Sequence, residues 1–170
     1  PFPYQAYTGI INGEVENTVC PYDEGFRGYI YDALRTIAAC HPDHIMVDDD
    51  FRLMNRQADG CGCPLHLSAV EKRLGKRMER AALYSILCDK THKENGAYVN
   101  AYVDTVKESL LESARAMRAG IDAVDKRLKG IFCLCGASTE FASDIAVIKI
   151  SKTSIFAITP TTNIIAHAPI

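Results

Sequence analysis

The chain has 170 residues, of which 48% are hydrophobic and 24% charged, a balance typical of one globular domain with a sizeable core. Its formal net charge of −2 argues against nucleic acid or an anionic membrane as a partner. The N-terminal residues lack a signal-peptide pattern, and Pro160 and Asn163 interrupt the uncharged C-terminal stretch, so we expect no membrane span. The chain opens without Met, and we interpret it as part of a longer chain or as a processed form.

The first third of the chain predicts a strand, a helix and a second strand. Residues 5–11 are predicted to be a short strand, and residues 13–21 a loop. Asp23 can cap a helix that ends before Pro42, because a residue preceding proline is pushed away from helical geometry. The apolar positions of this helix recur at helical spacing and are Phe26, Ile30, Leu34 and Ile37. His44–Val47 is an apolar run typical of a strand covered on both faces.

The rest of the chain predicts several helices and further strands. Helices are predicted over residues 65–74, 77–87, 98–124 and 143–149, and strands over residues 128–134 and 154–158. Gly75 is expected to end the first of these helices.

This alternating order predicts an α/β fold with a parallel sheet, whose functional side chains follow the carboxyl ends of the strands. A complete (β/α) barrel needs roughly 250 residues. We therefore predict one domain over residues 1–170 that is part of a TIM barrel rather than a whole one, with a loop insertion at about residues 52–66.

Three consecutive carboxylates, Asp48, Asp49 and Asp50, follow the predicted strand at His44–Val47. Neighbouring carboxylates raise one another's pKa, which can keep one of them protonated as a general acid. One carboxylate could therefore donate a proton to a leaving group while another binds a sugar hydroxyl or a cation. The structural alternative is a capping and turn cluster in which Arg52 or Arg56 is an ion-pair partner; Arg52 is also a candidate for substrate binding.

Cys61, Cys63 and His66 have the spacing Cys-x-Cys-x-x-His, in which two thiolates and an imidazole suit tetrahedral zinc. Gly62 lets the backbone fold tightly around an ion. Cys20, in the predicted upstream loop, is a plausible fourth ligand, and four ligands would make the zinc structural rather than catalytic. The alternative is an unmetallated thiol pair beside a surface histidine.

The remaining cysteines are interpreted as structural. There are seven cysteines, an odd number, and their Cys-x-Cys spacings suit metal ligation better than a disulfide framework, so we expect reduced thiols in a cytoplasmic protein. Cys40 and Cys88 are predicted to lie on helices, with their side chains buried in the core of the protein.

The stretch TVCPYDEGFRGYIYDALRTIAACHPDHIMVDDDF, followed by GCGCPLHLSAVEKRLG, resembles the barrel core of bacterial TIM-barrel glycosidases. In particular, it resembles the beta-galactosidases of glycoside hydrolase family 42. These have Cys-Pro before a helix, a strand ending Val-Asp-Asn-Glu-Tyr-Gly, and then Cys-x-Cys-x-x-Cys leading into a helix that closes at Gly. The resemblance covers about residues 19–76, roughly a third of the chain.

The resemblance implies a structural zinc ion bound by four residues, with a histidine in place of that family's last cysteine. The implied ligands are Cys20, Cys61, Cys63 and His66. It also implies that Asp50 takes the place of the general acid/base Glu and Asp49 that of an Asn that contacts the sugar. Asp50 is one methylene shorter than Glu, and Asp49 adds a charge, so the acid/base motif is divergent.

The function implied is hydrolysis of a glycosidic bond with Asp50 as the proton donor, zinc bracing the loop after its strand, and the nucleophile supplied from a later strand. Two alternatives remain open: a non-catalytic carbohydrate-binding or zinc-stabilised structural relative, and a metal-dependent hydrolase using residues 48–50. A partial barrel has open sheet edges, so we expect a homo-oligomer or part of a larger chain.

Overall fold

The computed structural model describes residues 3–47, 53, 60–134 and 156–160. The strands are β1 (Ala6–Thr8), β2 (Val15–Val19), β3 (His44–Val47), β4 (Lys129–Leu134) and β5 (Phe156–Pro160). The helices are α1 (Glu24–Ala38), α2 (Pro64–Leu74), α3 (Arg80–Cys88) and α4 (Asn95–Asp122). These elements fall into two compact units, one holding residues 3–26, 53 and 60–109, the other residues 27–47, 110–134 and 156–160.

The first unit begins with an antiparallel pair, in which β1 lies beside β2 with Ala6 opposite Val19 and Thr8 opposite Val15. The prediction of a loop over residues 13–21 was therefore wrong. The sequence of β2, VENTV, has only its two terminal valines as apolar residues, and Val15 is 70% exposed. Such a strand has no apolar face that the sequence would reveal. It is stabilised by its pairing with β1, which the local sequence does not predict.

The ends of two helices follow the local sequence signals. The backbone N–H of Phe26 donates to Asp23 Oδ1 at 2.8 Å, so Asp23 caps α1 as predicted. The other oxygen of Asp23 accepts from the backbone N–H of Gln5 at 2.8 Å, which ties the start of α1 to the chain entering β1. Gly75 ends α2 in the left-handed conformation, with φ 69°, and its N–H donates to Glu71 O.

The second unit contains a parallel sheet in the order β3-β4-β5. Ile45 of β3 packs in an apolar cluster with Ala38, Ile121 and Leu128. The α/β class with a parallel sheet is thus confirmed, whereas membership of a TIM barrel stays a prediction. The single domain predicted over residues 1–170 likewise stays a prediction.

A buried arginine holds the turn between α4 and β4. Arg118 is 2% exposed, forms an ion pair with Asp122 one turn further along α4, and donates to Leu128 O at 2.8 Å. A second donation, to Lys126 O at 3.4 Å, satisfies another carbonyl of the turn. The charge is therefore paired and its donors are used, as burial requires.

Two cysteines predicted to be buried are exposed instead. Cys40 follows the C-terminal end of α1, and Cys88 is the last residue of α3. Both predictions relied on helix position, but the end of a helix leaves the core, so their thiols face solvent. In the part of the chain that the structure describes, no helix has the length and apolarity needed to cross a membrane.

Candidate metal centre

Four metal-binding side chains meet in the first unit. We call them the Cys3His cluster: Cys20, Cys61, Cys63 and His66. All four are 0% exposed, and their ligand atoms lie within 4.8 Å of one another. Cys20 Sγ lies 3.2 Å from His66 Nδ1 and 3.4 Å from Cys63 Sγ, and Cys63 Sγ lies 3.6 Å from His66 Nδ1. The structure thus brings together the four residues that the sequence nominated.

Three different pieces of backbone carry the cluster. Cys20 directly follows β2, and its N–H donates to Gln5 O at 2.8 Å. Cys63 is the N-cap residue of α2 and His66 lies in the first turn of that helix. Because residues three apart on a helix start lie on the same side, Cys63 and His66 face one another.

The segment around Cys61 lies beside β1 and is held there by an isolated β-bridge and backbone hydrogen bonds. Cys61 forms a β-bridge with Gly9, next to β1. The N–H of Ile10 donates to Gly60 O at 2.9 Å, and the N–H of Gly62 donates to Thr8 O at 2.7 Å. These backbone hydrogen bonds fix the position of the Cys61 thiol relative to the end of β2, where Cys20 lies.

Glycines flank Cys61 because two neighbours approach the backbone closely. Gly60 has φ +124°, and a Cβ there would collide with the Tyr102 hydroxyl. A Cβ on Gly62 would lie 2.8 Å from Arg80 Cγ and 2.9 Å from a methyl group of Ile10. The expectation that Gly62 permits a tight loop thus has a structural cause in the packing of Arg80 and Ile10.

Tyr7 and Tyr102 hold the same segment through hydrogen bonds. The N–H of Gly60 donates to the Tyr7 hydroxyl at 3.0 Å, and the Tyr102 hydroxyl donates to Cys61 O at 3.2 Å. On the hairpin side, Arg80 donates to Ile10 O at 2.6 Å and to Ile11 O at 2.9 Å. Sequence reasoning did not identify these roles, because nothing in the local sequence links residues so far apart.

The three thiols share hydrogen bonds, and their pKa values diverge as a result. Hydrogen bonds from Cys20 and Cys61 hold the pKa of the Cys63 thiol well below its usual range. The pKa of Cys20 is raised by its hydrogen bonds with Cys61 and Cys63 and by burial. For Cys61, the hydrogen bond with Cys20 lowers the pKa, but hydrogen bonding to Cys63 and burial raise it to about 12 overall. One thiolate is thus stabilised by its neighbours' protons, which a bound cation would replace.

His66 has polar and aromatic partners beyond the thiols. Its Nε2 lies 3.2 Å from Ser109 Oγ of α4, and the Tyr22 ring packs edge-on against the imidazole with centroids 4.9 Å apart. The Tyr22 hydroxyl donates to Glu108 at 3.1 Å, and Glu108 also forms an ion pair with Arg73 at 2.5 Å. Burial, followed by the nearby charge of Glu108, raises the pKa of Tyr22 to about 12, so the phenol stays a donor at neutral pH.

The geometry fits zinc on two counts. Tetrahedral zinc, about 2.3 Å from sulfur and about 2.0–2.1 Å from nitrogen, places neighbouring ligand atoms about 3.5–3.8 Å apart. The three separations among Cys20, Cys63 and His66 are close to that range. Three soft thiolates and one imidazole also bind zinc in preference to hard cations.

The acidic candidates lie outside the described residues. Asp48, Asp49 and Asp50 follow Val47, the last residue of β3, and Arg52 comes two positions later. Their roles stay predictions. Parallel pairing of β3 with β4 is the property that made the end of this strand a candidate site.

Comparison of the chain with protein-family models, with curated proteins and with solved structures finds no match.

Proposed function

We propose that the chain binds one zinc ion in the Cys3His cluster and that this ion stabilises the fold of the first unit. The observation that carries the proposal is the convergence of four fully buried donors within 4.8 Å of one another. Polar groups are buried at this density in proteins when they are paired or bind a metal.

The zinc would be structural rather than catalytic. Four protein ligands complete a tetrahedron, and a catalytic zinc needs one position open to water or substrate. The ligands come from the end of β2, from the segment paired with β1 and from the start of α2, so one ion would cross-link three pieces of the unit. When bound, the ion supplies cross-linking energy and neutralises the thiolates.

Metal analysis of the purified chain tests this proposal. We expect about one zinc per chain, because the cluster holds one set of four ligands. Cys61→Ser should lose the metal, because an alcohol is a poor zinc ligand compared with a thiolate.

Cys88→Ser is the matched control, since it removes an exposed thiol from the same unit and should leave the zinc content unchanged. A metal-free wild-type chain that folds normally would overturn the proposal, as would equal zinc loss in both variants. Zinc thiolates also require reduced cysteines, which supports the expected cytoplasmic location.

A second proposal follows from the resemblance: the chain belongs to a glycoside hydrolase, built as part of a TIM barrel, that acts on a carbohydrate substrate. Two observations favour it. Cys20 joins the Cys-x-Cys-x-x-His residues, as the resemblance implies, although it lies 46 positions from His66. The strand β3 ends at Val47, directly before the Asp triplet, and pairs in parallel with β4, which in turn pairs with β5.

In this proposal Asp50 protonates the leaving oxygen, Asp49 contacts the sugar, and Asp48 and Arg52 complete the substrate-binding set. The nucleophile comes from a later strand of the intact parent protein. A general acid contributes about 10²–10⁴-fold to rate, and most of that contribution falls on substrates with poor leaving groups.

Aryl glycosides with good and poor leaving groups, tested on the intact parent protein, can identify the acid. Asp50→Asn should slow the poor leaving group by about 10²–10⁴-fold and the good one far less. Asp43→Asn, which changes an exposed Asp just before β3, should leave both rates unchanged.

Other outcomes would favour the remaining alternatives. Sugar binding without turnover would indicate a carbohydrate-binding relative. A second metal ion with hard ligands, whose removal abolishes activity, would indicate a metal-dependent hydrolase that uses residues 48–50.

A further inference from the structure

We propose that Ser109 is a positioning residue that fixes the proton of His66 on Nε2, so that the zinc ligand is Nδ1. This inference rests on the proposed zinc site and specifies how its one nitrogen ligand is selected. Histidine can bind zinc through either nitrogen, and the hydrogen bond made by the other nitrogen decides which.

The hydroxyl hydrogen of Ser109 is already used in a hydrogen bond within α4. Ser109 lies on α4, and its hydroxyl donates to Val106 O at 2.8 Å. A carbonyl oxygen can only accept, so the single hydroxyl hydrogen of Ser109 is used in this bond. With that hydrogen donated to Val106 O, the Ser109 oxygen is an acceptor toward His66, 3.2 Å away, and we assign the hydrogen of this contact to His66 Nε2.

The opposite nitrogen then has a free lone pair. In a neutral imidazole one nitrogen donates and the other accepts, so Nδ1 is the unprotonated atom. Nδ1 is also the atom that faces the thiols, 3.2 Å from Cys20 Sγ and 3.6 Å from Cys63 Sγ. The hydrogen bond at Nε2 and the position of the thiols beside Nδ1 thus favour the same tautomer, with the hydrogen on Nε2 and the lone pair on Nδ1.

The surroundings of His66 offer no ready substitute for its hydrogen bond to Ser109. His66 and Ser109 are both 0% exposed, so water cannot substitute for the Ser109 acceptor without a rearrangement. The Tyr22 ring packs against the imidazole at an interplanar angle of 67°, which restricts rotation of the ring. Without the Ser109 oxygen, the Nε2–H would be buried without an acceptor, which is unfavourable.

Nuclear magnetic resonance on the wild-type chain gives a direct test. The full chain would be labelled with ¹⁵N at histidine and loaded with ¹¹³Cd as a spectroscopic substitute for zinc. We expect one histidine whose Nδ1 is coupled to the metal and whose Nε2 carries a hydrogen. Coupling through Nε2, or a hydrogen on Nδ1, would overturn the proposal for Ser109 while leaving the zinc site in place.

Variants then measure how much the positioning contributes. Ser109→Ala should weaken zinc binding by about 10–100-fold, the usual effect of removing a partner of a metal-bound histidine. Competition with a chromogenic chelator measures the affinity. Ser113→Ala is the matched control, because it removes another buried hydroxyl one turn further along α4 and should leave the zinc affinity unchanged.

The outcomes separate the two proposals. A wild-type chain that binds no zinc or cadmium overturns both. A wild-type chain that binds metal through Nδ1, with equal affinity in Ser109→Ala, overturns the positioning role alone. If Ser109→Ala does not fold, the wild-type spectrum still decides which nitrogen binds the metal.

Discussion

The interiors of the two units differ in one respect: the first holds a buried cluster of metal-binding side chains beside apolar residues such as Val70, Leu83 and Val106. In the first unit, three thiols and an imidazole are completely buried, and the hydroxyls of Tyr7 and Tyr102 form hydrogen bonds with the backbone of Gly60 and Cys61. The second is built around the apolar side chains of Ala38, Ile45, Ile121 and Leu128. A buried cluster of donors is costly without a ligand, whereas an apolar cluster is favourable by itself. We therefore expect the first unit to depend on metal in addition to packing, and the second on packing alone.

The same contrast appears in the glycines. In the first unit, Gly60 and Gly62 lie where hydrogen-bonding side chains press against the segment that carries Cys61. In the second unit, Gly120 of α4 lies against the backbone of α1 near Tyr31, where any Cβ would collide. The close contacts at these glycines therefore help to position the metal-binding Cys61 in the first unit and allow two helices to pack in the second.

Removing the metal should give the largest difference between the two units, because it should destabilise the first far more than the second. Structural zinc contributes an apparent binding energy of about 10–16 kcal/mol in small zinc domains, comparable to the whole stability of a typical domain. With a strong chelator, hydrogen exchange should show lost protection in β1, β2 and α2, while β3 and β4 keep theirs. Equal loss in all five elements would show that the units unfold together and would break the comparison.

The largest expected effect of a single packing change lies in the second unit. Ile121 is 1% exposed, and Ile121→Ala should lower the free energy of unfolding by about 2–5 kcal/mol without changing the zinc content. Denaturant titration and metal analysis measure the two quantities. Val124→Ala, at a position 36% exposed, should change stability by less than about 0.5 kcal/mol. Zinc loss in Ile121→Ala would argue against independent interiors.

A smaller effect is expected at the segment that holds Cys61. Gly60→Ala combines a strained φ of +124° with a collision at the Tyr102 hydroxyl and should cost about 1–3 kcal/mol. Its zinc affinity should fall with it, because Cys61 is the next residue. Gly96→Ala, on α4 in the same unit with nothing within 4 Å of the new Cβ, should be neutral or stabilising. Thermal melts with and without added zinc measure both effects.

The smallest effect concerns the hydrogen bond from Tyr22 to Glu108. The folded-state pKa of Tyr22 is raised from 10.0 to about 12, mainly by burial, so its contribution is complete below pH 10 and is lost as pH rises toward 12. Tyr22→Phe should cost about 0.5–1.5 kcal/mol at pH 8, the net value of one hydrogen bond. The difference from wild type should shrink above pH 10 in denaturant titrations. A difference that does not vary with pH would contradict this role.

Several features could be predicted because their causes are local. The run His44–Val47 is rich in apolar residues, and the structure has β3 at those residues; the prediction that both faces are covered was wrong, because Met46 is 59% exposed. The Asp23 cap and the Gly75 stop depend on geometry within a few residues. Local reasoning failed for β2, where the strand is determined by a distant partner, and for Cys40 and Cys88, where exposure depends on what covers the helix ends.

What the sequence by itself determined is the chemistry of the metal site: the Cys-x-Cys-x-x-His spacing places two thiols and an imidazole at the start of a helix, because a few residues of backbone fix their separation. The sequence nominated Cys20 as the fourth ligand, but only the tertiary structure brings it to the other three and places Ser109 beside the far nitrogen of His66, 43 positions away. Contacts over such distances in sequence depend on how β1, α2 and α4 pack, and no short motif encodes that packing.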